Sequence, residues 1–354
     1  MLGTRGIGLS HIYLDNKIEG FSNVAAGMVI RAIGHGLKIG YVDCSSGSTK
    51  FVNFLENLCL SYSFVKKFGS FHIEVFRFNS KNNRINKSIL PLVEFQTVSE
   101  DIFWDSILNF DLIIFDNFDL EKINQYKIKN ILENRGINSE IVFTTKDPKV
   151  FENLKSQFDF AVKYTYKKNP LLSTSRNIIN LNGTSRGKSS YSYGYLLRKF
   201  FEKNDVKLIY FDREGNFYGE RLFFQALKKW MQENSFYGSL DFVVTGAKRF
   251  EGRKFRQGTN DEDIREAKEG LMLLKTSIKK QTPVLAEDLL NVVNNGTLRE
   301  EEVEEAISEV NRELIITGKE STKKISSLSN IEITVEDLNQ GLRNNKETRK
   351  GIDF

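Results

Sequence analysis

Short apolar runs recur along the chain and predict buried β-strands. The runs are HIYL at 11–14, LKIGYVD at 37–43, FDLIIFDNF at 110–118, EIVFTTK at 140–146, NIINL at 177–181, VKLIYFD at 206–212, VLA at 284–286 and ELIITGK at 313–319. Runs rich in Ile, Val, Leu and Phe are typical of parallel strands that are covered on both faces. The pattern therefore predicts an open, mostly parallel α/β sheet in each half of the chain.

One stretch between the predicted strands has clear helical spacing. It is LREEEVEEAISEVNREL at 298–314, with apolar positions at Val303, Ala306, Ile307 and Val310. An apolar stripe opposite a charged face predicts a surface helix that covers the sheet.

The second half of the chain repeats the pattern of the first half. FSNVAAGMVIR at 21–31 aligns with KSSYSYGYLLR at 188–198, which lies 167 positions further on. The next strands are 169 positions apart, Asp116 and Glu287 are 171 apart, and EIVFTTK and ELIITGK are 173 apart. Small loop insertions in a duplicated chain produce such a slowly growing spacing, so the sequence predicts a tandem duplication.

The duplication predicts two α/β domains. Residues 1–166 would form the first domain and residues 176–354 the second. The segment KKNPLLSTSR at 167–176 is the predicted linker, because it contains Pro170 and a cluster of Ser and Thr.

A candidate phosphate-binding loop lies between a strand and a helix of the second half. LNGTSRGKSS at 181–190 ends in the tail of the pattern G-x-x-x-x-G-K-S/T, with Asn182 at the first glycine position. Gly187 would let the backbone approach an anion, Lys188 would reach the phosphates, and the Ser189 hydroxyl would ligate Mg²⁺.

Both the loop and a later acidic pair have a second interpretation. A polar strand-to-helix turn in which Ser189 or Ser190 caps the helix would need no ligand. The pair Glu287-Asp288 fits a metal site, but it also fits the start of a helix whose dipole favours carboxylates.

The corresponding loop of the first half lacks the cations at the positions of Lys188 and Arg186. LDNKIEGFSN at 14–23 keeps Gly20 and Ser22, but Phe21 replaces the lysine and Glu19 replaces the arginine. An aromatic ring and a carboxylate do not attract phosphate, so the first half is predicted not to bind nucleotide.

The bulk composition excludes several other classes of site. The formal charge of +5, from 51 basic and 46 acidic residues, is too small an excess to indicate a nucleic-acid-binding face. Cys44, Cys59 and three histidines lack the spacing of a disulfide framework or a zinc site. Because no apolar run suits a membrane span and the N-terminus lacks a signal-peptide core, we predict a cytoplasmic protein without a membrane partner.

The loop resembles that of the ATP:corrinoid adenosyltransferases, a P-loop family whose pattern is T-G-N/D-G-K-G-K-T-T-A-A-x-G-x-A-x-R. This pattern also lacks a glycine at the first loop position. The resemblance marks as nucleotide-binding the residues Asn182, Gly183, Thr184, Ser185, Arg186, Gly187, Lys188, Ser189 and Ser190, and it continues at Gly194 and Arg198.

Other stretches are similar to the same family. They are FRQGTNDEDIREAKEGL at 255–271 (family F-T-W-E-T-x-D/N-x-x-x-D), VLAEDLLNVVNNGTLREEEV at 284–303, ELIITGK (family strand ending T-G-R), RKGIDF at 349–354 and, in the first half, RAIGHGLKIGYVD at 31–43. The resemblance implies a P-loop NTPase (RecA-like) sheet in two tandem copies. The copies would form an intrachain pseudo-dimer, the first copy being degenerate.

The resemblance also implies a reaction. The family moves the 5′-deoxyadenosyl group of ATP onto the reduced cobalt, Co(I), of a corrinoid, and triphosphate leaves. The implied substrates are ATP and a corrinoid (cobalamin), with Mg²⁺ as cofactor and an external electron donor such as a flavoprotein. The family works as a homodimer, which two tandem copies would form within a single, monomeric chain.

The resemblance assigns a role to each candidate residue. The implied catalytic residues are Lys188, Arg186 and Asp288, the implied Mg²⁺ ligands are Ser189, Glu287 and Asp288, and the implied corrinoid contacts are Phe255, Gln257 and Asn291.

This chain departs from the family pattern where the corrinoid would bind. Gln257 and Gly258 replace the family's Trp and Glu, the acidic pair is inverted, and Asn291 falls one position late. Two other functions therefore remain open, a non-catalytic ATP- or corrinoid-binding regulator and another P-loop ATPase. The GIDF ending argues against the ATPase.

Overall fold

The structure, a computed structural model, divides the chain into two compact units. The first comprises Met1–Leu60, Phe64–Tyr164 and Glu336–Phe354, and the second comprises Ser61–Ser63 and Thr165–Val335. The residues that the structure describes are 9–34, 37–44, 72–79, 84–90, 95–119, 125–134, 139–170, 172, 177–183, 187–203, 210–211, 217–218, 242–243, 251–254, 258–276, 284–310 and 313–339.

The first unit contains eight described strands and four described α-helices. They are β1 (Ser10–Leu14), α1 (Asn23–Gly34), β2 (Lys38–Asp43), β3 (His72–Asn79), β4 (Arg84–Leu90), β5 (Phe95–Val98), α2 (Glu100–Ile107), β6 (Leu112–Asp116), α3 (Gln125–Asn134), β7 (Glu140–Thr145), α4 (Pro148–Leu154) and β8 (Phe160–Lys168). Strand order is β8-β1-β7-β6-β2-β3-β4-β5. All neighbours are parallel as far as β3, and β4 and β5 are antiparallel.

The second unit has the same kind of sheet. Its elements are β9 (Ile178–Gly183), α5 (Lys188–Lys203), β10 (Tyr210–Phe211), β11 (Phe217–Tyr218), β12 (Phe242–Val243), β13 (Glu251–Lys254), α6 (Asp261–Thr276), β14 (Val284–Glu287), α7 (Leu289–Asn294), α8 (Glu300–Glu309), β15 (Leu314–Thr317), α9 (Lys323–Leu328) and β16 (Ile331–Asp337). Strand order is β16-β9-β15-β14-β13-β12, with all pairs parallel except β12 with β13. The expected mixed α/β class with a large, mostly parallel sheet is confirmed.

The strands are buried, as their composition predicts. Every residue of β6 and of β15 is buried, and both strands lie within the hydrophobic core of their unit. Helix α8 packs against the core through Val303, Ala306 and Ile307, which have no exposed surface. Burying each of the larger side chains contributes about 1.5–3 kcal/mol. The predicted apolar stripe on this helix is therefore confirmed.

Two sequence-based assignments differ from the structure. The described part of VKLIYFD, Tyr210–Phe211, pairs antiparallel with Phe217–Tyr218 in a separate two-stranded sheet instead of joining the main sheet. The predicted linker begins inside a strand, because β8 extends to Lys168. Alternating large side chains in FAVKYTYKK favour an extended chain, and this local signal outweighs the polar composition that suggested a linker.

No helix in the described ranges is both long and apolar enough to cross a membrane.

Candidate active site

The phosphate-loop candidate lies where β9 ends and α5 begins. Gly183 is the last residue of β9, and Lys188 is the first residue of α5. Gly183 has φ +106°, and a Cβ there would lie 2.1 Å from the Val335 carbonyl oxygen, so only glycine fits this close approach to β16. Gly187 also has a left-handed backbone, with φ +83°. The strand, loop and helix context that an anion site requires is therefore present.

Lys188 is buried and folded back onto two backbone carbonyls. Its side chain is 5% exposed, and its Nζ donates to the Gly183 oxygen at 2.8 Å and to the Gly318 oxygen. Burial is the main cause that lowers the pKa of Lys188 to about 8; the charge of Lys319 contributes to the lowering, and Asp288 and Glu287 oppose it. A lysine with this pKa is still mostly charged at neutral pH and can attract phosphate.

Ser189 contacts the acidic pair directly. Its hydroxyl donates to Glu287 Oε1 at 2.5 Å, and Glu287, at the end of β14, is only 4% exposed. The first hydrogen bond of α5 runs from the Tyr191 N–H to the Gly187 oxygen, so Gly187 occupies the cap position. The structure therefore gives the Ser189 hydroxyl a carboxylate partner, whereas the capping interpretation requires a backbone amide.

A hydroxyl and a carboxylate in contact fit a hard divalent cation. Mg²⁺ prefers oxygen ligands and is usually held by one or two carboxylates together with substrate phosphates. Ser189 and Glu287 supply such oxygens at the carboxyl ends of β9 and β14, next to Lys188. The donor set present is therefore chemically suited to Mg²⁺.

Asp288 lies in the same turn with a strained backbone. Its φ is +61°, a left-handed conformation that is uncommon for residues other than glycine. Its N–H donates to the Thr317 hydroxyl at 2.9 Å, and its carboxylate accepts from Asn291 at 3.1 Å. Although Asp288 occupies the N-cap position of α7, its side chain makes no capping hydrogen bond. The position of Asp288 at the start of α7 is the one that the helix-dipole interpretation predicts, so this interpretation and the metal site both stay predictions.

Other predicted site residues are placed differently from Lys188 and Ser189. The Asn182 amide donates to Glu332 Oε1 at 2.9 Å, so the side chain is held by β16. Ser190 is 2% exposed. Five predicted site residues, Thr184, Ser185, Arg186, Phe255 and Gln257, and the C-terminal RKGIDF lie outside the described residues.

In the first unit, protein groups surround the carboxylate that the sequence aligns with Glu287. Asp116 is fully buried and accepts from the Ser22 N–H at 3.1 Å, the Tyr41 hydroxyl at 2.6 Å and the Thr144 hydroxyl at 2.6 Å. Phe21, in the lysine position, is 5% exposed. The Ser22 N–H, which could otherwise face a phosphate, thus donates to the Asp116 carboxylate.

The two units share an unusual turn after the acidic residue. Asn117 has φ +54° and donates its N–H to the Thr144 hydroxyl at 2.9 Å. Asp288, 171 positions later, has φ +61° and donates in the same way to Thr317. They are the two non-glycine residues with positive φ among the described residues. Sequence reasoning missed both threonines, although Thr317 is the last residue and Thr144 the last but one of strands that the repeat had aligned.

Acidification should stabilise the folded chain through the buried carboxylate of Asp116 in the first unit. Burial raises the pKa of Asp116 from 3.8 to about 6, mostly through desolvation, and the hydrogen bonds from Thr144, Tyr41 and Ser22 limit the rise. The folded chain therefore keeps this proton where the unfolded chain has released it. Stability from this group falls by about 3 kcal/mol as pH rises from about 4 to about 6.

An Asp116→Asn variant removes this titration. We expect the free energy of unfolding of the wild-type chain, relative to that of the variant, to fall by about 3 kcal/mol between about pH 4 and about pH 7. Urea unfolding of both proteins at the two pH values measures it. A difference that does not change with pH would show that Asp116 titrates normally.

The lowered pKa of Lys188 predicts a pH dependence of ATP binding. Phosphate is attracted only by the protonated amine, so the affinity for ATP should fall as pH rises above about 8, by up to about tenfold per pH unit. Calorimetric titration from neutral pH to about pH 9 measures this fall. Lys188→Arg, whose guanidinium stays charged over this pH range, is the control for changes in ATP itself, and an equal fall in that variant would rule out Lys188 as the cause.

A protein-family model described as ATP:corrinoid adenosyltransferase BtuR/CobO/CobP matches residues 174–354, just over half of the chain. The matched range contains β9, the loop before α5, Glu287 and the turn after β15. The family resemblance predicted for the second half is therefore confirmed. A search of curated proteins found no match.

Proposed function

Because the chain belongs to the ATP:corrinoid adenosyltransferase family, we propose that it transfers the 5′-deoxyadenosyl group of ATP to the reduced cobalt of a corrinoid and releases triphosphate. One observation carries the proposal. Lys188, at the start of α5, lies beside the hydrogen-bonded pair of Ser189 and Glu287. These groups meet at the carboxyl ends of parallel strands, where open α/β sheets bind their ligands.

The loop binds and stabilises the leaving triphosphate. The ammonium of Lys188 has three N–H donors; two bond the Gly183 and Gly318 carbonyls and the third would donate to a phosphate oxygen, and backbone N–H groups at the start of α5 add further donors. Arg186, in the same loop, supplies a second cation. Charge develops on the triphosphate as the bond to C5′ breaks, so positive groups fixed in advance lower the barrier.

Ser189, Glu287 and Asp288 would hold Mg²⁺. The ion supplies positive charge that neutralises the phosphates. Glu287 is the direct partner of the Ser189 hydroxyl, whereas the Asp288 carboxylate is turned towards Asn291. We therefore assign the direct Mg²⁺ ligands to Ser189 and Glu287. The Asp288 carboxylate is next in the chain and would add negative charge near the ion.

The corrinoid enters as the second substrate. Its cobalt must be reduced to Co(I) by an external donor such as a flavoprotein, and it must approach C5′ in line with the departing oxygen. The protein contributes orientation and exclusion of water, while the corrinoid carries the nucleophile. Phe255 and Gln257 remain the proposed corrinoid contacts.

The first unit is a degenerate copy in this account. The shared strand order around β1 and β9, the paired left-handed turns and the contact of each loop serine with an acidic residue support a common origin. We propose that this copy binds no nucleotide, since Phe21 replaces the lysine and Asp116 takes up the loop amide. The chain would then contain one nucleotide site, and the pseudo-dimer stays a prediction from the family.

Product analysis tests the proposed reaction. The full chain is incubated anaerobically with ATP, Mg²⁺ and chemically reduced cobalamin, and the spectrum of the cobalt–carbon bond is followed. We expect adenosylcobalamin and triphosphate in equal amounts. ADP and phosphate would indicate an ATPase, and ATP binding without either set of products would indicate a regulator.

A further inference from the structure

The side chain of Asn291 bridges two turns at the edge of the candidate site. Asn291 lies in the first turn of α7 and is 9% exposed. Its Nδ2 donates to Asp288 Oδ1 at 3.1 Å, and its Oδ1 accepts from the Lys319 N–H at 2.7 Å. One amide therefore connects the acidic turn after β14 with the turn after β15.

The acidic turn is fixed from the other side as well. The Asp288 N–H donates to the Thr317 hydroxyl at 2.9 Å, and Thr317 is the last residue of β15. Asp288 adopts its strained backbone, with φ +61°, between these two contacts. A residue held in a rarely populated conformation persists only where its surroundings fix it, and here Asn291 and Thr317 do so.

The turn after β15 reaches both ends of the phosphate loop. The Gly318 carbonyl accepts from Lys188 Nζ, and the Lys319 carbonyl accepts from the Gly183 N–H at 2.6 Å. The turn also packs tightly on α7, because a Cβ at Gly318 would lie 2.3 Å from Leu290 Cβ. Any shift of Lys319 therefore moves the carbonyl that holds the loop lysine.

We infer that Asn291 is a positioning residue for the nucleotide site. Asn291 fixes the position of Lys188 through Lys319 and Gly318. It also fixes the position of the acidic pair through Asp288. This inference rests on the proposed function and replaces the corrinoid contact that the sequence had suggested for Asn291. Both polar atoms of its amide are engaged within the protein, on groups that surround the phosphate loop.

Direct binding of ATP tests this role without relying on turnover. The full chain and its variants are titrated calorimetrically with ATP and Mg²⁺ in the absence of corrinoid. We expect Asn291→Ala to weaken ATP binding about 10- to 100-fold, as outer partners of a metal or anion site commonly do. Asn294→Ala is the matched control on the same helix. It removes an exposed amide that donates to the Glu320 carbonyl, and it should bind ATP normally.

Thr317→Val provides a second route to the same turn. It removes the hydroxyl at nearly constant volume and should also weaken ATP binding, while circular dichroism verifies that each variant is folded. Since Asn291 and Thr317 act on the same residue, the double variant should lose less affinity than the product of the two single losses. Thr317→Val alone tests the inference if Asn291→Ala does not fold.

The outcomes separate this inference from the proposed reaction. The KM for cobalamin should stay unchanged in Asn291→Ala. Normal ATP binding in both single variants, or a raised KM for cobalamin with normal ATP binding, would overturn the positioning role. Weakened ATP binding in a protein that makes no adenosylcobalamin would support the positioning role and overturn the proposed transfer.

Discussion

Replacing Lys188 with alanine is expected to lower kcat/KM for adenosyl transfer by about 100- to 1,000-fold, the range seen when one fixed donor to a developing anion is removed. The amine is buried, lies at the start of α5 and is already held by the Gly183 and Gly318 carbonyls. Alanine leaves those carbonyls without the donor and the phosphates without the cation. Steady-state kinetics with ATP as the varied substrate measure the loss.

A lysine of the corresponding loop in the first unit provides the control. Lys17 is exposed, and its backbone N–H donates to Asp15, so Lys17→Ala removes a loop charge at little structural cost. We expect this variant to retain wild-type kinetics. Equal losses in the Lys17 and Lys188 variants would point to a general charge effect and contradict a phosphate site at Lys188.

Replacing Glu287 with glutamine is expected to abolish most of the Mg²⁺ dependence of ATP binding and to lower turnover about 100-fold. In the wild-type chain the Ser189 hydroxyl lies 2.5 Å from the Glu287 carboxylate. The glutamine amide keeps an oxygen that can accept from this hydroxyl, so the shape of the site is preserved. The negative charge that attracts the cation is lost. Titrations of ATP with and without Mg²⁺ measure the effect.

Glu305→Gln is a matched control for the loss of one carboxylate. Glu305, on the surface of α8, forms an ion pair with Lys275, and solvent screens such surface pairs so that they contribute little to stability. The Mg²⁺ dependence of ATP binding by the Glu305→Gln variant should equal that of the wild type. A normal Mg²⁺ dependence in Glu287→Gln would place the metal elsewhere.

The contact between Ser189 and Glu287 follows from features that the sequence contains. An apolar strand before the loop and another before the acidic pair predict parallel strands, whose carboxyl ends share one edge of a sheet. The structure separates β9 from β14 by a single strand, β15, and the two side chains meet across that edge. Strand type places the two segments at one edge, whereas the grouping of Ser189 with Glu287 and Asp288 came from the family resemblance.

The turns around that edge could not be predicted in the same way. The left-handed backbone at Asp288 and Asn117 depends on threonine hydroxyls that lie 29 and 27 positions away in the sequence. Propensity describes neighbours along the chain, and these bonds join segments that approach only after the sheet has formed. The hydrogen bond between Asn291 and Lys319 could not be predicted for the same reason, since the two residues are 28 positions apart.

The antiparallel strands of the first unit were also not anticipated. Strand β4 contains polar residues and pairs with β3 on one side and β5 on the other. Antiparallel strands often alternate apolar and polar residues and lack the uninterrupted apolar runs of buried parallel strands, so the criterion that found the other strands passes over them.

The number of ATP molecules bound per chain tests the central claim most directly. We expect one working nucleotide site, at Lys188, and none at Phe21, where Asp116 takes up the amide of Ser22. Calorimetric titration of the full chain with ATP and Mg²⁺ should give a stoichiometry near one, and Lys188→Ala should show no binding in the same concentration range. A stoichiometry near two, or undiminished binding in Lys188→Ala, would contradict the account.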